Sequence, residues 1–539
     1  MKRYGLPLLL ATLTLSVSSC NENIVNLQNQ SQYSDATYFK NAPQFNEAVI
    51  ATYAPLLGNG LYSRDYYFLF DLMGNDAERD APLLGDLLQL HDYSFGTSHQ
   101  QITSLWQGLY RIILRANLVL DKAAQWNATL ADDAAKKKQY VAEARFMKGY
   151  AEMMLVTLWG RVPLRPDYAS ANDYFAPRAS VADGWKAAIA DLTAATTDLP
   201  LTYADADRGR ATQGAAIAML GKALLFQKKY AEAAAQFEKL TKTPFAYKLN
   251  PSYDNQFSET NGSSPETIFD VPHFWGGWGQ GNAYYMFGGQ EAWGGKATHT
   301  GRAQEYGWND WRNVFISDAA VKAFTYTDEA GKKYIDPRAK LTFYGDAASG
   351  GDTDFCNTCT GQPTVTGASY KQIKLADGTT AFNYPFDKSN GYRFRKYEPY
   401  ETAEQSTQPQ SNVNSQVIRY ADVLLMLAEC YINTGKAADA LPLVNAVRAR
   451  VKAFPYTNLG TQTQAMDKLM LERRLELTGE QARYFDLLRW GTIKPVINAE
   501  KQLQIGAQPF QDKNLLLPIP QLEKDTNPVL ANDVQGGWN

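Results

Sequence analysis

Leu220-Gly221-Lys222 is followed by Ala233 and Phe237, twelve and sixteen residues beyond the glycine, and Leu427-Ala428-Glu429 is followed by Ala440 and Val444 at the same offsets from Ala428. Small residues at those offsets let two antiparallel helices approach closely, with the larger side chain packed between them. Small side chains at the eighth and twentieth positions of a unit of about 34 residues are tetratricopeptide spacing. Gln227-Lys228-Lys229-Tyr230 and Asn433-Thr434-Gly435-Lys436 fit the turn inside each pair. Further out, Leu105, Leu109, Ile112, Ile113, Ala116 and Leu120 recur at helical spacing, as do Phe146, Tyr150, Met154 and Leu158. They predict helices over 105–124 and 140–159, a weaker third pair, and Trp159-Gly160-Arg161-Val162-Pro163 stops the second of them. The expected fold is mainly α, a tetratricopeptide-like helical-repeat superhelix over about 100–245 and 415–495. Between about 250 and 415 the rhythm fails, and Gly, Asn, Thr, Asp and aromatics predict an inserted region of irregular loops and short strands.

The N-terminus predicts export. Lys2 and Arg3 precede an apolar run from Leu6 to Leu15, and Val17, Ser18 and Ser19 lead into Cys20. A charged start, a short apolar core and a small-residue cleavage zone form a secretion signal over 1–19. A cysteine directly after the small residues resembles a bacterial lipobox, in which Cys20 becomes the lipid-modified N-terminus and 20–34 a flexible tether to a single domain over 35–539. The alternative is an ordinary signal cut near Ser19, with Cys20 a stray thiol.

With 539 residues and a net charge of −3, the chain can bury a large core and lacks the basic footprint of a nucleic-acid binder. Its one basic run, Lys136 to Lys138, reads as a solvated helix turn, and no apolar stretch after residue 20 is long enough to span a bilayer. Cys356 and Cys359 bracket Asn-Thr among Gly and Thr. A redox motif would need a βαβ setting and a zinc site a second ligand pair, so a local disulfide in an exported loop is the preferred reading. Cys430 lies on an apolar helical face and reads as a buried thiol. No cofactor or metal is called for, and Asp205-Ala206-Asp207-Arg208-Gly209 lacks EF-hand spacing.

The last third carries the most specific signature. Leu471-Glu472-Arg473-Arg474-Leu475-Glu476-Leu477, Gly479-Glu480-Gln481-Ala482-Arg483 and Asp486-Leu487-Leu488-Arg489-Trp490-Gly491 run in succession. Asn514-Leu515-Leu516-Leu517-Pro518-Ile519-Pro520 and Asn527-Pro528 follow; Asp336-Pro337-Arg338, Phe394-Arg395-Lys396-Tyr397 and Ala144-Arg145-Phe146 stand upstream. This combination resembles the SusD/RagB family, the surface glycan-binding lipoproteins of Bacteroidetes. The resemblance implies a SusD-like fold and a non-enzymatic protein, lipid-anchored in the outer membrane and facing the cell exterior. It would capture oligosaccharide or polysaccharide and deliver it to a SusC-like TonB-dependent transporter barrel. The charges at Glu472, Arg473, Glu476, Arg483, Asp486 and Arg489 read as ion pairs along and between helices.

Five of the eleven tryptophans, Trp275, Trp278, Trp293, Trp308 and Trp311, fall between residues 275 and 311, with Tyr284, Tyr285 and Tyr306 among them. The C–H face of a sugar ring stacks on a flat aromatic, each such contact adding about 0.5–1.5 kcal/mol beyond burial. Trp275, Trp278, Tyr284, Trp293 and Trp308 are therefore the candidate platforms, with Gly276-Gly277-Trp278-Gly279 and Trp293 the best exposed. About half of these aromatics are expected to pack a loop core instead, and Val314-Phe315 reads as a helix start against which Trp308 or Trp311 is buried. Many members of the family carry an acidic residue near the position of Asp76, which together with Arg79 joins the candidate site. No Trp lies between residues 76 and 100, a departure from members that hold a platform there. Two other functions stay open. A family member handling peptides would show apolar pockets; an exported glycoside hydrolase would need paired carboxylates, which can lie far apart in a sequence.

Overall fold

The computed structural model describes residues 38–58, 60–79, 85–129, 131–168, 175–258, 264–273, 302, 306, 314–352, 354–355, 371–374, 380–385, 392–397, 413–501 and 509–538. Cys20, Cys356 and Cys359 lie outside them.

Helices α1 (Ala42–Tyr53), α2 (Asp65–Met73) and α3 (Gly85–Asp92) open the domain. Then come α4 (Gln100–Gln125), α5 (Ala131–Trp159), α6 (Val181–Asp198), α7 (Gln213–Phe226) and α8 (Tyr230–Leu240), each from α5 onward packing on the one before. Asn41, Ser180 and Thr212 start α1, α6 and α7 by accepting the N–H two or three residues inside the helix. Helix α4 buries one stripe, Ile102, Leu105, Leu109, Ile112, Ala116 and Val119, whereas α7 is buried on nearly every side because it has helices on both flanks. Gly160, with φ +70°, ends α5 as expected.

The repeat resumes with α11 (Tyr420–Asn433) and α12 (Ala437–Arg450), and α11 packs directly on α8 although all of 241–419 lies between them. The insertion therefore leaves and re-enters the stack at one place. Its two ends are paired there: β2 (Thr267–Val271) runs antiparallel to β11 (Ser415–Arg419), with Ser415 opposite Val271 and Arg419 opposite Thr267. Inside the insertion, β3 (Val314–Ile316) pairs with β1 (Ala77–Arg79), β4 (Thr325–Thr327) with β5 (Lys333–Ile335) and β6 (Phe343–Tyr344) with β10 (Arg393–Phe394). Strand β9 (Thr380–Pro385) lies between β7 (Asp354–Phe355) and β8 (Lys371–Lys374), and α9 (Asp318–Ala323) and α10 (Ala339–Thr342) are short helices among them. The expected helix start at Val314-Phe315 is thus a strand. Its branched and aromatic side chains suit a ladder, and the helix begins only at Asp318, capped by Ser317.

The C-terminal signature forms α13 (Gln462–Leu477) and α14 (Ala482–Trp490), and its charges are buried in pairs. Arg338 reaches Asp336 at 2.8 Å, Glu472 at 2.7 Å and Glu476 at 3.2 Å. Arg419 at the end of β11 bonds Glu266 at 2.6 Å, Glu476 at 2.6 Å and Glu480 at 2.6 Å. Arg448 and Arg450 from α12 hold Glu472 and Glu476, while Arg473 bridges Asp422 and Asp486, each at 2.8 Å. Burial alone would raise Glu476, but Arg450, Arg419 and Arg338 outweigh it and hold the carboxyl well below the usual range. Helix and insertion are thereby tied together by ions rather than by apolar packing alone. Leu517 donates its N–H to the Leu158 carbonyl at 2.7 Å, docking the terminal segment on the end of α5. Cys430 is fully buried, and burial pushes its thiol up to about 12.

Candidate ligand-binding site

Helix α2 is buried along its whole length and delivers the chain into a tight turn at Gly74-Asn75-Asp76. Asn75 has φ +61°, a left-handed conformation that Asn tolerates better than branched residues. Ser317, at the end of β3, clamps this turn: its Oγ donates to the Asn75 carbonyl at 2.6 Å and its N–H to the Asp76 carbonyl at 2.9 Å. Asp76 itself is 1 % exposed. Its Oδ2 accepts the Gly479 N–H at 3.3 Å, and Oδ1 has no hydrogen-bond partner among the described residues. Burial raises its carboxyl to about 6, with Arg474 and Arg483 pulling the other way. Asp76 thus faces the protein interior, while Arg79, three residues on, is half-buried at the edge opposite Val314. Between them Glu78 points to His91, whose other ring nitrogen meets Asp92 at 2.6 Å.

The aromatic-rich segment is fixed at both ends. At its start, buried His273 donates its N–H to Asn414 Oδ1 at 3.2 Å and places Nε2 2.9 Å from the Ser415 hydroxyl. At its far side, Arg302 and Tyr306 lean onto α2. Arg302 donates to the Gly479 carbonyl and lies 4.0 Å from the ring centre of Tyr397. Tyr306 is 2 % exposed and donates to Asp71 Oδ2 at 3.0 Å, with its ring against Tyr67, Phe68 and Phe394. Asp71 also accepts from the Gln481 amide at 2.8 Å, so the motif at 479–481, the helix α2 and the segment's end share one polar knot. Tyr306 is a packing group. Trp275, Trp278, Tyr284, Tyr285, Trp293, Trp308 and Trp311 lie outside the described residues.

A family model described as the SusD family matches residues 241–538, and a second, described as starch-binding associating with outer membrane, matches 47–225. The chain belongs to the SusD family. SusD-like protein P25 of Formosa agariphila is 23% identical over 96% of this chain and 96% of its own length. A solved SusD superfamily protein from Bacteroides vulgatus superposes with a TM-score of 0.74 at 24% identity, covering 92% of this chain and 98% of that one. Surface glycan-binding protein A from Bacteroides uniformis gives a TM-score of 0.66 at 22% identity, over 92% of this chain and 100% of the other.

Within this SusD-family chain, two features escaped the sequence. Asp71, Arg302 and Gln481 act together, yet they are distant in the chain; the only signal was Gln481 inside the Gly479–Arg483 motif. Two clefts also open on the helical side. One, of about 500 Å³, lies over Trp106, Tyr110 and Leu114 of α4; the other, of about 450 Å³, lies between the loops at 201–212 and 244–247 and strand β2. Among the described residues, no group of three or more His, Cys, Asp or Glu could hold a metal ion, and no helix is long and apolar enough to cross a membrane.

Proposed function

We propose that this protein is a cell-surface glycan-binding lipoprotein that captures oligosaccharide or polysaccharide and delivers it to a partner TonB-dependent outer-membrane transporter. One observation carries the reading: five of the eleven tryptophans fall between residues 275 and 311, three of them between the anchored residues His273 and Arg302, in a chain whose fold is shared with a surface glycan-binding protein. Trp275, Trp278, Tyr284, Trp293 and Trp308 supply the stacking faces, with Arg79 at the neighbouring strand edge; Asp76 acts from beneath, fixing the turn that aims β1. Modest affinity suits the task, because a ligand that must be passed on cannot be held too tightly. Cys20 carries the lipid and 20–34 the tether, the helical-repeat side meets the barrel, and Cys356 and Cys359 close a loop disulfide. No catalytic residue is assigned.

The test is affinity electrophoresis of the full-length protein in mild detergent through gels containing single polysaccharides, beside Trp278→Ala and Trp293→Ala. Retardation by one glycan that either variant loses while remaining folded supports the proposal. No retardation by any glycan refutes it and favours a peptide or another non-sugar nutrient.

A further inference from the structure

The loop read only as failed calcium spacing, Asp205-Ala206-Asp207-Arg208-Gly209, forms one wall of the 450 Å³ cleft. Pro244, Phe245 and Tyr247 and, from β2, Thr267 and Asp270 line it as well. The volume falls within the range of about 300–1,000 Å³ common to small-ligand sites. We propose that this cleft is a second, separate saccharide site, taking one or two uncharged sugar rings; it rests on the glycan reading for its ligand class alone.

Ring geometry comes first. Tyr203, Phe245 and Tyr247 line the cleft and are each only half-buried. Phe245 and Tyr247 lie 8° from parallel with centres 6.0 Å apart, and Tyr420 continues the row 6.2 Å beyond Tyr247. Aromatic faces that stay partly open beside a cleft are available for the C–H face of a sugar.

Charge selects the class. Arg210 is spent on Glu143 at 3.1 Å and Asp207 at 2.8 Å, and Asp270 is bound by the Asn414 amide at 2.7 Å. Arg208 stands 3.8 Å from Asp205, and the lining sets three carboxyls, Asp205, Asp207 and Asp270, against two guanidiniums, Arg208 and Arg210, a balance that disfavours anions and admits neutral sugars. It does present directional groups. Arg208 Nε has no hydrogen-bond partner among the described residues, and Asp270 is 94 % buried, its carboxyl raised by burial to about 6. A guanidinium donor and a carboxyl in one lining fit hydroxyl groups, which donate and accept in turn.

Position supports the assignment. Strand β2 carries Asp270 in the cleft and leads three residues later to His273, where the tryptophan-rich stretch begins. At about 3.3 Å per residue, Asp270 stands roughly 10 Å from His273 along the chain. A glycan engaged both in the cleft and by that stretch would be retained more strongly without a new contact.

The test is calorimetric titration of the full-length protein in mild detergent with maltose, laminaribiose, cellobiose, xylobiose, mannobiose and galactobiose. Three variants accompany it: Phe245→Ala, Arg208→Gln and the double change Trp278→Ala with Trp293→Ala. At least one disaccharide shows a binding event that Phe245→Ala and Arg208→Gln each weaken about tenfold, and that event persists in the double tryptophan variant even where binding at the tryptophans is lost. Arg208→Gln alters a partly exposed side chain outside the helix contacts, so it stays informative if Phe245→Ala misfolds. Binding that depends on the tryptophans and ignores residues 208 and 245 overturns the cleft assignment while leaving the proposed function standing. Binding of none of the disaccharides also overturns it, and gel retardation by polysaccharide then judges the proposed function independently.

Discussion

Gly221 and Phe237 meet so closely across the α7–α8 pair that a Cβ on residue 221 would lie 2.5 Å from the phenyl ring. Gly221→Ala therefore forces either the ring or the helix to shift. Overpacking of this kind costs about 1–3 kcal/mol, which urea unfolding of the variant would register. A variant as stable as the parent would mean that the two helices are free to slide.

Arg419 faces three carboxylates, Glu266, Glu476 and Glu480, in a site that excludes water. Arg419→Met leaves all three under-compensated and is expected to lose about 3–5 kcal/mol. Lys494, which meets the exposed Asp512 at 2.8 Å, is the control. Lys494→Met should cost about 0–1 kcal/mol, because solvent screens that pair. Equal losses in the two variants would show that the buried cluster has no special weight.

The two sets of buried carboxyls pull stability in opposite directions with pH. Glu480 and Asp486 resist the upward push of burial through Arg419 and Lys396, and through Arg473 and Arg489, and stay below the usual range. Their stabilisation is present above the unfolded carboxyl pKa and is lost as pH falls through the folded one. Burial raises Asp76 and Asp270 to about 6 and Glu152 to about 8, the last only partly offset by Lys148. These take up protons first in the folded state, so they add stability as pH drops from about 8 toward 4. A melting temperature that peaks near pH ~5 and falls steeply below pH ~4 is expected. Glu152→Gln should flatten the limb between pH ~5 and ~8 while leaving the acid limb in place.

Arg302 and Tyr306 hold the end of the tryptophan-rich stretch without belonging to its surface. Arg302→Met should weaken glycan retardation in affinity gels at least as much as Trp278→Ala, although residue 302 is buried away from ligand. Unchanged retardation would separate the polar knot from ligand capture.

How much of this was legible varies with the range of the interaction. The α7–α8 and α11–α12 pairs follow from Gly221, Phe237, Ala428 and Val444, because helical periodicity and close approach are local in the chain. That Glu472, Glu476 and Asp486 would be paired was legible from their alternation with arginines; that Arg338 and Arg419 would be their partners was not. Those arginines stand 134 and 57 residues from Glu472 and Glu476, respectively. Val314-Phe315-Ile316 misled because a short apolar run suits a strand or a buried helix equally, and only its partner at Ala77–Arg79 decides. The cleft over β2 escaped because Tyr203 stands in one loop and Phe245 with Tyr247 in another, with no cluster in the sequence to draw them together.

His273 and Arg302 are each fastened to residues outside the stretch they bound, His273 to Asn414 and Ser415, Arg302 to Gly479 and Asp71. These partners all belong to the surrounding fold, so a different sequence between 274 and 301 meets the same two sockets. A lineage that meets a new polysaccharide needs to rewrite only that insert, and an engineer could transplant one between relatives along the same cut points.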